Sequence, residues 1–211
     1  MTLNRIYAIV AILLIGSFLF NRYYSSPEGA NKRIEKEAVL LAFGDSLTYG
    51  YGADPTESYP ARLEKLLGRK VINGGISGES SGEGLKRLPS LLQEYKPKIL
   101  LLCHGGNDIL KKQDMQKLHT NLEQMIRLAQ SQNIDVILIS VPQFGILQLT
   151  PPPLYDELAE TYHLAIEEDI LADILHDNRY KSDYIHPNAQ GYQKMAEAIE
   201  KLLRNHYLFE K

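Results

Sequence analysis

Val39-Leu40-Leu41-Ala42-Phe43-Gly44-Asp45-Ser46-Leu47 is an apolar run that ends on a glycine and a polar pair. The run does not alternate between apolar and polar residues. A strand with one face in water would alternate, so this pattern predicts a strand covered on both faces, as in a parallel sheet. Ile99-Leu100-Leu101-Leu102-Cys103 repeats the pattern and runs into Gly105-Gly106-Asn107-Asp108. Further strand candidates are residues 71–73, residues 136–140 and, more weakly, residues 163–166. Between them, residues 59–67, 83–94 and 115–132 carry apolar side chains at three- and four-residue spacing, for example Leu118, Leu122, Met125, Leu128 and Ala129. Residues 188–204 close the series as a helix, with Pro187 just ahead and Tyr192, Met195, Ala196, Ile199, Leu202 and Leu203 on one face. Strands alternating with helices give an α/β fold, a three-layer α/β/α domain around a five-stranded parallel sheet.

Outside this block the chain changes character. Arg5 precedes an uncharged run over residues 6–20, followed by Asn21, Arg22, Tyr23 and Tyr24. The run suits a signal-peptide core and is short for a spanning helix, which needs about 20 residues. Its exit lacks a small-x-small cleavage pattern, and the aromatic and basic flanks favour a membrane anchor over a cleaved signal. Residues 1–24 are therefore expected to be a signal or anchor, 25–37 a polar linker, 38–206 the folded domain and 207–211 a tail. Membrane association is expected through residues 6–20.

Composition narrows the classes of function. The 211 residues are 44% hydrophobic and 23% charged, with a net charge of −3. Scattered cations and a negative balance exclude a concentrated nucleic-acid surface. The lone Cys103 allows no internal disulfide and reads as a buried small hydrophobe. No Cys or His cluster has metal-ligand spacing, so no metal is expected. His104, His119, His163, His176 and His206 are dispersed. His104 abuts the Gly-Gly-Asn-Asp motif, yet strand-end packing is its better reading.

Four segments carry chemistry. Ser46 sits just past a strand, where ligands bind in open α/β folds; the plain alternative is that Asp45-Ser46 caps a helix. Asn107 leaves a second buried strand. In a flavodoxin-like order, 2-1-3-4-5, the two would face each other across the crevice, where an amide N–H can donate to a developing oxyanion. Asp183 and His186 are three residues apart, close enough in a turn for the carboxylate to hold the imidazole as a base for Ser46. In Asn73-Gly74-Gly75-Ile76-Ser77-Gly78-Glu79-Ser80, the Gly78 N–H is a further oxyanion donor beside the Ser46 N–H. Ser77 and Ser80 lack the strand-then-turn setting of Ser46.

These segments resemble the blocks of the GDSL, or SGNH, hydrolase superfamily, and most closely its bacterial arylesterase and acyl-CoA thioesterase/lysophospholipase branch. Gly44-Asp45-Ser46-Leu47-Thr48 is similar to the first block, Ile76-Ser77-Gly78-Glu79-Ser80 to the second, Gly105-Gly106-Asn107-Asp108 to the third, and Asp183-x-x-His186-Pro187 to the last. The resemblance extends from Val39 to about Arg204. It implies a catalytic set of Ser46, Asp183 and His186, an oxyanion hole of Ser46, Gly78 and Asn107, no metal or other cofactor, and an exported or envelope-associated enzyme. It implies hydrolysis of an acyl ester or thioester, a small-molecule substrate. The oligomeric state is open, and a monomer is the expectation. Carbohydrate O-deacetylation is the alternative within the superfamily, and a non-catalytic envelope binding or scaffold protein the alternative outside it. One segment departs from the branch. Residues 143–153 replace an Arg-x-Pro-Pro-Asn-Tyr-Gly-type loop, so chain-length preference is open. Tyr49, Phe144, Ile146, Leu147 and Tyr155 are the candidate substrate-lining residues.

Overall fold

Leu40, Leu41, Ala42 and Phe43 are wholly buried, as are Ile99 to Cys103, and that two-sided burial explains why neither run alternates. The computed structural model describes residues 32–144 and 149–210. Residues 1–31, which include the expected anchor and most of the expected linker, and residues 145–148, which include Ile146 and Leu147, lie outside the described residues. The elements follow in order: β1 Lys32–Ile34, β2 Leu40–Gly44, α1 Ser46–Tyr49, α2 Tyr59–Leu67, β3 Val71–Gly75, α3 Ser81–Tyr95, β4 Ile99–Cys103, α4 Gly106–Leu110, α5 Met115–Ser131, β5 Asp135–Ile139, β6 Gln143–Phe144, β7 Leu149–Thr150, α6 Leu154–Tyr162, β8 Ala165–Glu167, α7 Ile170–His176, α8 Ala189–His206 and β9 Tyr207–Phe209.

The main sheet has five parallel strands in the order β3-β2-β4-β5-β8, which is 2-1-3-4-5 when its own strands are counted along the chain. The α2, α7 and α8 helices pack together, as do α3, α5 and α6, so the sheet lies between two helical layers. Register places the site. Gly44, at the end of β2, pairs with Gly75 on one side and Cys103 on the other. The chain therefore leaves three adjacent strands at one level, and the Ser46, Gly78 and Asn107 segments emerge together along the carboxyl edge.

Two expected boundaries are corrected. Part of the linker, Lys32–Ile34, is strand β1, and most of the expected tail is strand β9. The two pair in parallel, Ile34 opposite Phe209, and Ile34 is fully buried. Arg69 fastens the pair by donating from Nε to the Glu35 carbonyl at 2.9 Å and from the guanidinium to the Glu210 carbonyl. Three-residue strands are too short to carry a readable period, and their pairing is set by a partner strand at the far end of the chain. Residues 143–153, read as a loop, contain a small antiparallel ribbon, Gln143 opposite Thr150 and Phe144 opposite Leu149.

Candidate active site

Ser46 is the first residue of α1 and is held by its neighbour. One oxygen of Asp45 accepts the Leu47 N–H at 3.1 Å, capping the helix. The other accepts the Gly106 N–H at 3.1 Å, tying the end of β2 to the end of β4. Asp45 is 1% exposed, and burial pushes its carboxyl above the usual range against the opposing pull of His104, the Leu47 and Gly106 N–H groups and His186. The capping alternative is thus true of Asp45, and it leaves the Ser46 hydroxyl unused by the helix.

That hydroxyl meets an imidazole. Oγ of Ser46 lies 2.9 Å from Nε2 of His186. On the far side of the ring, Nδ1 lies 2.8 Å from Oδ2 and 3.1 Å from Oδ1 of Asp183. Burial works to raise the Asp183 carboxyl, but the His186 ring and the Ile185 and His186 N–H groups outweigh it and hold the carboxyl below the usual range. An ionised carboxylate only accepts, so Nδ1 carries the proton and Nε2 presents a lone pair to the serine O–H.

The turn bearing this pair is fixed at several points. Oδ1 of Asp183 accepts the Ile185 and His186 N–H groups at 2.8 and 2.9 Å. The Ser182 N–H donates to the His186 carbonyl at 2.9 Å. Asn188 then caps α8 by accepting the Gly191 N–H at 3.0 Å. The Tyr51 ring covers the imidazole, centroid to centroid 4.5 Å.

The other sequence candidates divide. Asn107, on α4, lines one small cavity of about 20 Å3 with Ser46 and His186, and Leu47, Leu110, Val141, Pro142, Leu175 and Ile185 supply its apolar wall. Nδ2 of Asn107 donates to the Glu79 carbonyl at 3.0 Å, leaving its second N–H for another acceptor. Gly78 has φ +84, a conformation that favours glycine. Ser80 caps α3, its Oγ donating to Glu83 at 2.6 Å, and Ser77 is exposed.

One substrate-lining expectation is corrected. Tyr155 is fully buried, and its hydroxyl donates to the His104 carbonyl at 2.8 Å, so it belongs to the core under the site. Tyr49 is 52% exposed, and Tyr51, two residues on, is the aromatic beside the imidazole. The Phe144 side chain lies outside the described residues. Nothing in the spacing of Val141, Pro142 and Leu175 marked them as cavity wall, because they come from separate segments that only packing brings together. A larger groove of about 900 Å3, beside Glu35, Pro89, Lys96 and Asn133, contains no serine, cysteine or histidine. Among the described residues no group of three or more His, Cys, Asp or Glu side chains is placed to hold a metal ion.

Residues 42–194 match the GDSL-like lipase/acylhydrolase family. The chain belongs to that family. Among its GDSL relatives, an arylesterase of Vibrio mimicus is 30% identical over 177 residues, covering 79% of this chain and 88% of its own length. Thioesterase 1/protease 1/lysophospholipase L1 of Escherichia coli K12 is 29% identical over 173 residues, covering 79% and 83%. A crystal structure of TesA superposes with TM-score 0.70 at 28% identity, covering 79% of this chain and 98% of that one. The esterase EstA of Pseudoalteromonas sp., in a structure inhibited by monoethylphosphonate, gives TM-score 0.69 at 26% identity, covering 79% and 99%. The GDSL chain is accordingly an esterase or acylhydrolase with the SGNH-hydrolase fold.

Proposed function

We propose that this enzyme hydrolyses carboxylic esters or thioesters of acyl groups through an acyl-enzyme on Ser46. The observation that carries the reading is the hydrogen-bonded series Ser46 Oγ, His186 Nε2, His186 Nδ1, Asp183 carboxylate. As Oγ attacks the substrate carbonyl carbon, its proton passes to Nε2, and the Asp183 carboxylate stabilises the imidazolium. The carbonyl oxygen takes up the negative charge and accepts from Asn107 Nδ2 and from the Gly78 and Ser46 N–H groups. An oxyanion-hole donor of this kind lowers the barrier by about 3–4 kcal/mol. Collapse expels the alcohol or thiol, which takes the proton from Nε2. Water then attacks the acyl-enzyme, gives its proton to the same nitrogen, and the acid leaves as Oγ is reprotonated.

The apolar cavity wall fits the acyl side of such a substrate, and the names of the arylesterase and thioesterase relatives point to the same class. Envelope location, with membrane association through residues 6–20, belongs to this reading and rests on the aromatic and basic flanks of that run.

Ser46→Ala is the test. Turnover of p-nitrophenyl butyrate should fall by roughly three orders of magnitude or more, with an unchanged circular dichroism spectrum, and a fluorophosphonate should label the parent enzyme and not the variant. A variant keeping a tenth of parental turnover would overturn the assignment.

A further inference from the structure

His104 and Glu79 are buried polar residues to which the acyl-transfer steps give no part. His104 lies wholly buried just past the end of β4. Its Nδ1 is 3.0 Å from the Gly105 N–H. A backbone amide can only donate, so Nδ1 holds a lone pair and the proton sits on Nε2. That nitrogen faces Oε2 of Glu79 at 3.3 Å. Glu79 is itself fixed: Arg87 donates from Nε to Oε1 at 2.8 Å and from its NH2 group to Oε2 at 2.6 Å. The same guanidinium donates to the Gly74 carbonyl at 2.9 Å and lies 4.5 Å above the centre of the Phe43 ring.

The imidazole has been given room at a cost. Gly84 lies inside α3, and a Cβ there would stand 2.3 Å from Nε2 of His104. A glycine within a helix sacrifices conformational entropy that an alanine would save. Here its bare surface is the bed on which the ring rests.

Position along the chain gives the arrangement its meaning. Glu79 directly follows Gly78, and its carbonyl accepts from Asn107. His104 directly precedes Gly105-Gly106-Asn107. The ring therefore joins the two segments that bear the proposed oxyanion donors. A second tie lies further along, where Asp108 accepts the Ser81 N–H at 2.8 Å and its hydroxyl at 2.6 Å; it pins the start of α3, two residues beyond Glu79.

We infer that His104 is a positioning residue: its Nε2–H bond to Glu79 holds the Gly78 segment at a fixed separation from the Asn107 segment, so that the oxyanion donors are set before charge develops. This rests on the proposed serine mechanism and on Gly78 and Asn107 as its donors. Preorganised donors act because they need not reorient during the reaction, so loosening their support slows chemistry more than it weakens substrate binding. The Asp108–Ser81 tie persists when His104 is replaced, which limits the loss to a fraction of what removing a donor would cause.

The experiment uses the full chain and counts working sites by fluorophosphonate labelling of Ser46. His104→Phe keeps a ring and removes both nitrogens. His104→Leu removes them with less volume and carries the same expectation should the phenyl ring fail to fit. Either should lower kcat per labelled site, on p-nitrophenyl butyrate, by roughly tenfold, leave KM within about twofold, and slow the phosphonylation rate constant in parallel. His104→Gln restores an N–H donor and should return kcat to within about threefold of the parent. A role confined to packing would lower the labelled fraction and the melting temperature while leaving the rate per site unchanged. Unchanged rates per site, or a glutamine variant as slow as the phenylalanine one, would overturn the inference. A parent enzyme that takes no label at Ser46 would instead end the serine reading itself.

Discussion

The Nε2 atom of His186 stands 2.9 Å from the hydroxyl oxygen of Ser46, although 140 positions of chain separate them. Each partner is fixed by its own surroundings, Ser46 by the Asp45 cap and His186 by the Asp183 turn. The distance between them depends on α8 packing against α2 and α7. The contact is therefore a property of the assembled layers, and its chemistry depends on neighbours that touch neither substrate nor serine.

Asp183→Asn separates the carboxylate's charge from its shape. The amide oxygen can still accept the Ile185 and His186 N–H groups, so the turn should persist. Loss of the anion removes the partner that fixes the Nδ1–H tautomer. We expect kcat to fall by about 10^2–10^4-fold, measured on p-nitrophenyl butyrate, with the fold intact by circular dichroism. A variant within threefold of the parent would show that Asp183 only shapes the turn.

Glu79 should leave its mark on acid stability. Burial alone would raise its carboxyl, but the hydrogen bonds from Arg87 and His104 and the charge of Arg87 outweigh burial and bring it down from 4.5 to about 2. A carboxyl lowered in the folded state binds fewer protons than the unfolded chain between those values. Its stabilisation is complete above about 4.5 and is lost as pH falls towards about 2. The melting temperature of Glu79→Gln should accordingly lie below the parent's at pH 7, and the gap should narrow as the pH drops from 5 to 3. A gap of constant size would count against the Arg87–Glu79 pair as its source.

Gly82 and Gly84, two residues apart in α3, should respond in opposite directions to alanine. At Gly82 a Cβ meets only Asn121 Nδ2, at 3.6 Å, an ordinary contact. The gain in helix propensity should stabilise Gly82→Ala by a few tenths to about 1 kcal/mol. At Gly84 the 2.3 Å overlap with the His104 ring exceeds that gain, and Gly84→Ala should destabilise by about 1–3 kcal/mol. Urea unfolding midpoints decide; a stabilised Gly84→Ala would mean the ring moves aside without cost.

Much of this was readable from residues alone. Ile99 to Cys103 coincides with β4 and Tyr59 to Leu67 with α2, because continuous burial and three-to-four spacing are local patterns that tertiary packing reinforces. The short helices α6 and α7 carry too few periods to stand out, and the two-residue ribbon of β6 and β7 has none. His104 shows why a site outruns its motifs. Packing at a strand end accounts for its burial, yet its partner, Glu79, lies 25 residues earlier in the chain and was legible only as part of a loop motif.

By itself the sequence determined the layer architecture and the identity of the reactive groups, since apolar periodicity and side-chain chemistry are written residue by residue. Only the tertiary structure decided which groups meet: the imidazole on the serine, the buried histidine on Glu79, strand β1 on strand β9. Such contacts join segments far apart in the chain, and their distances follow from how helices and strands pack, which no single stretch of residues encodes.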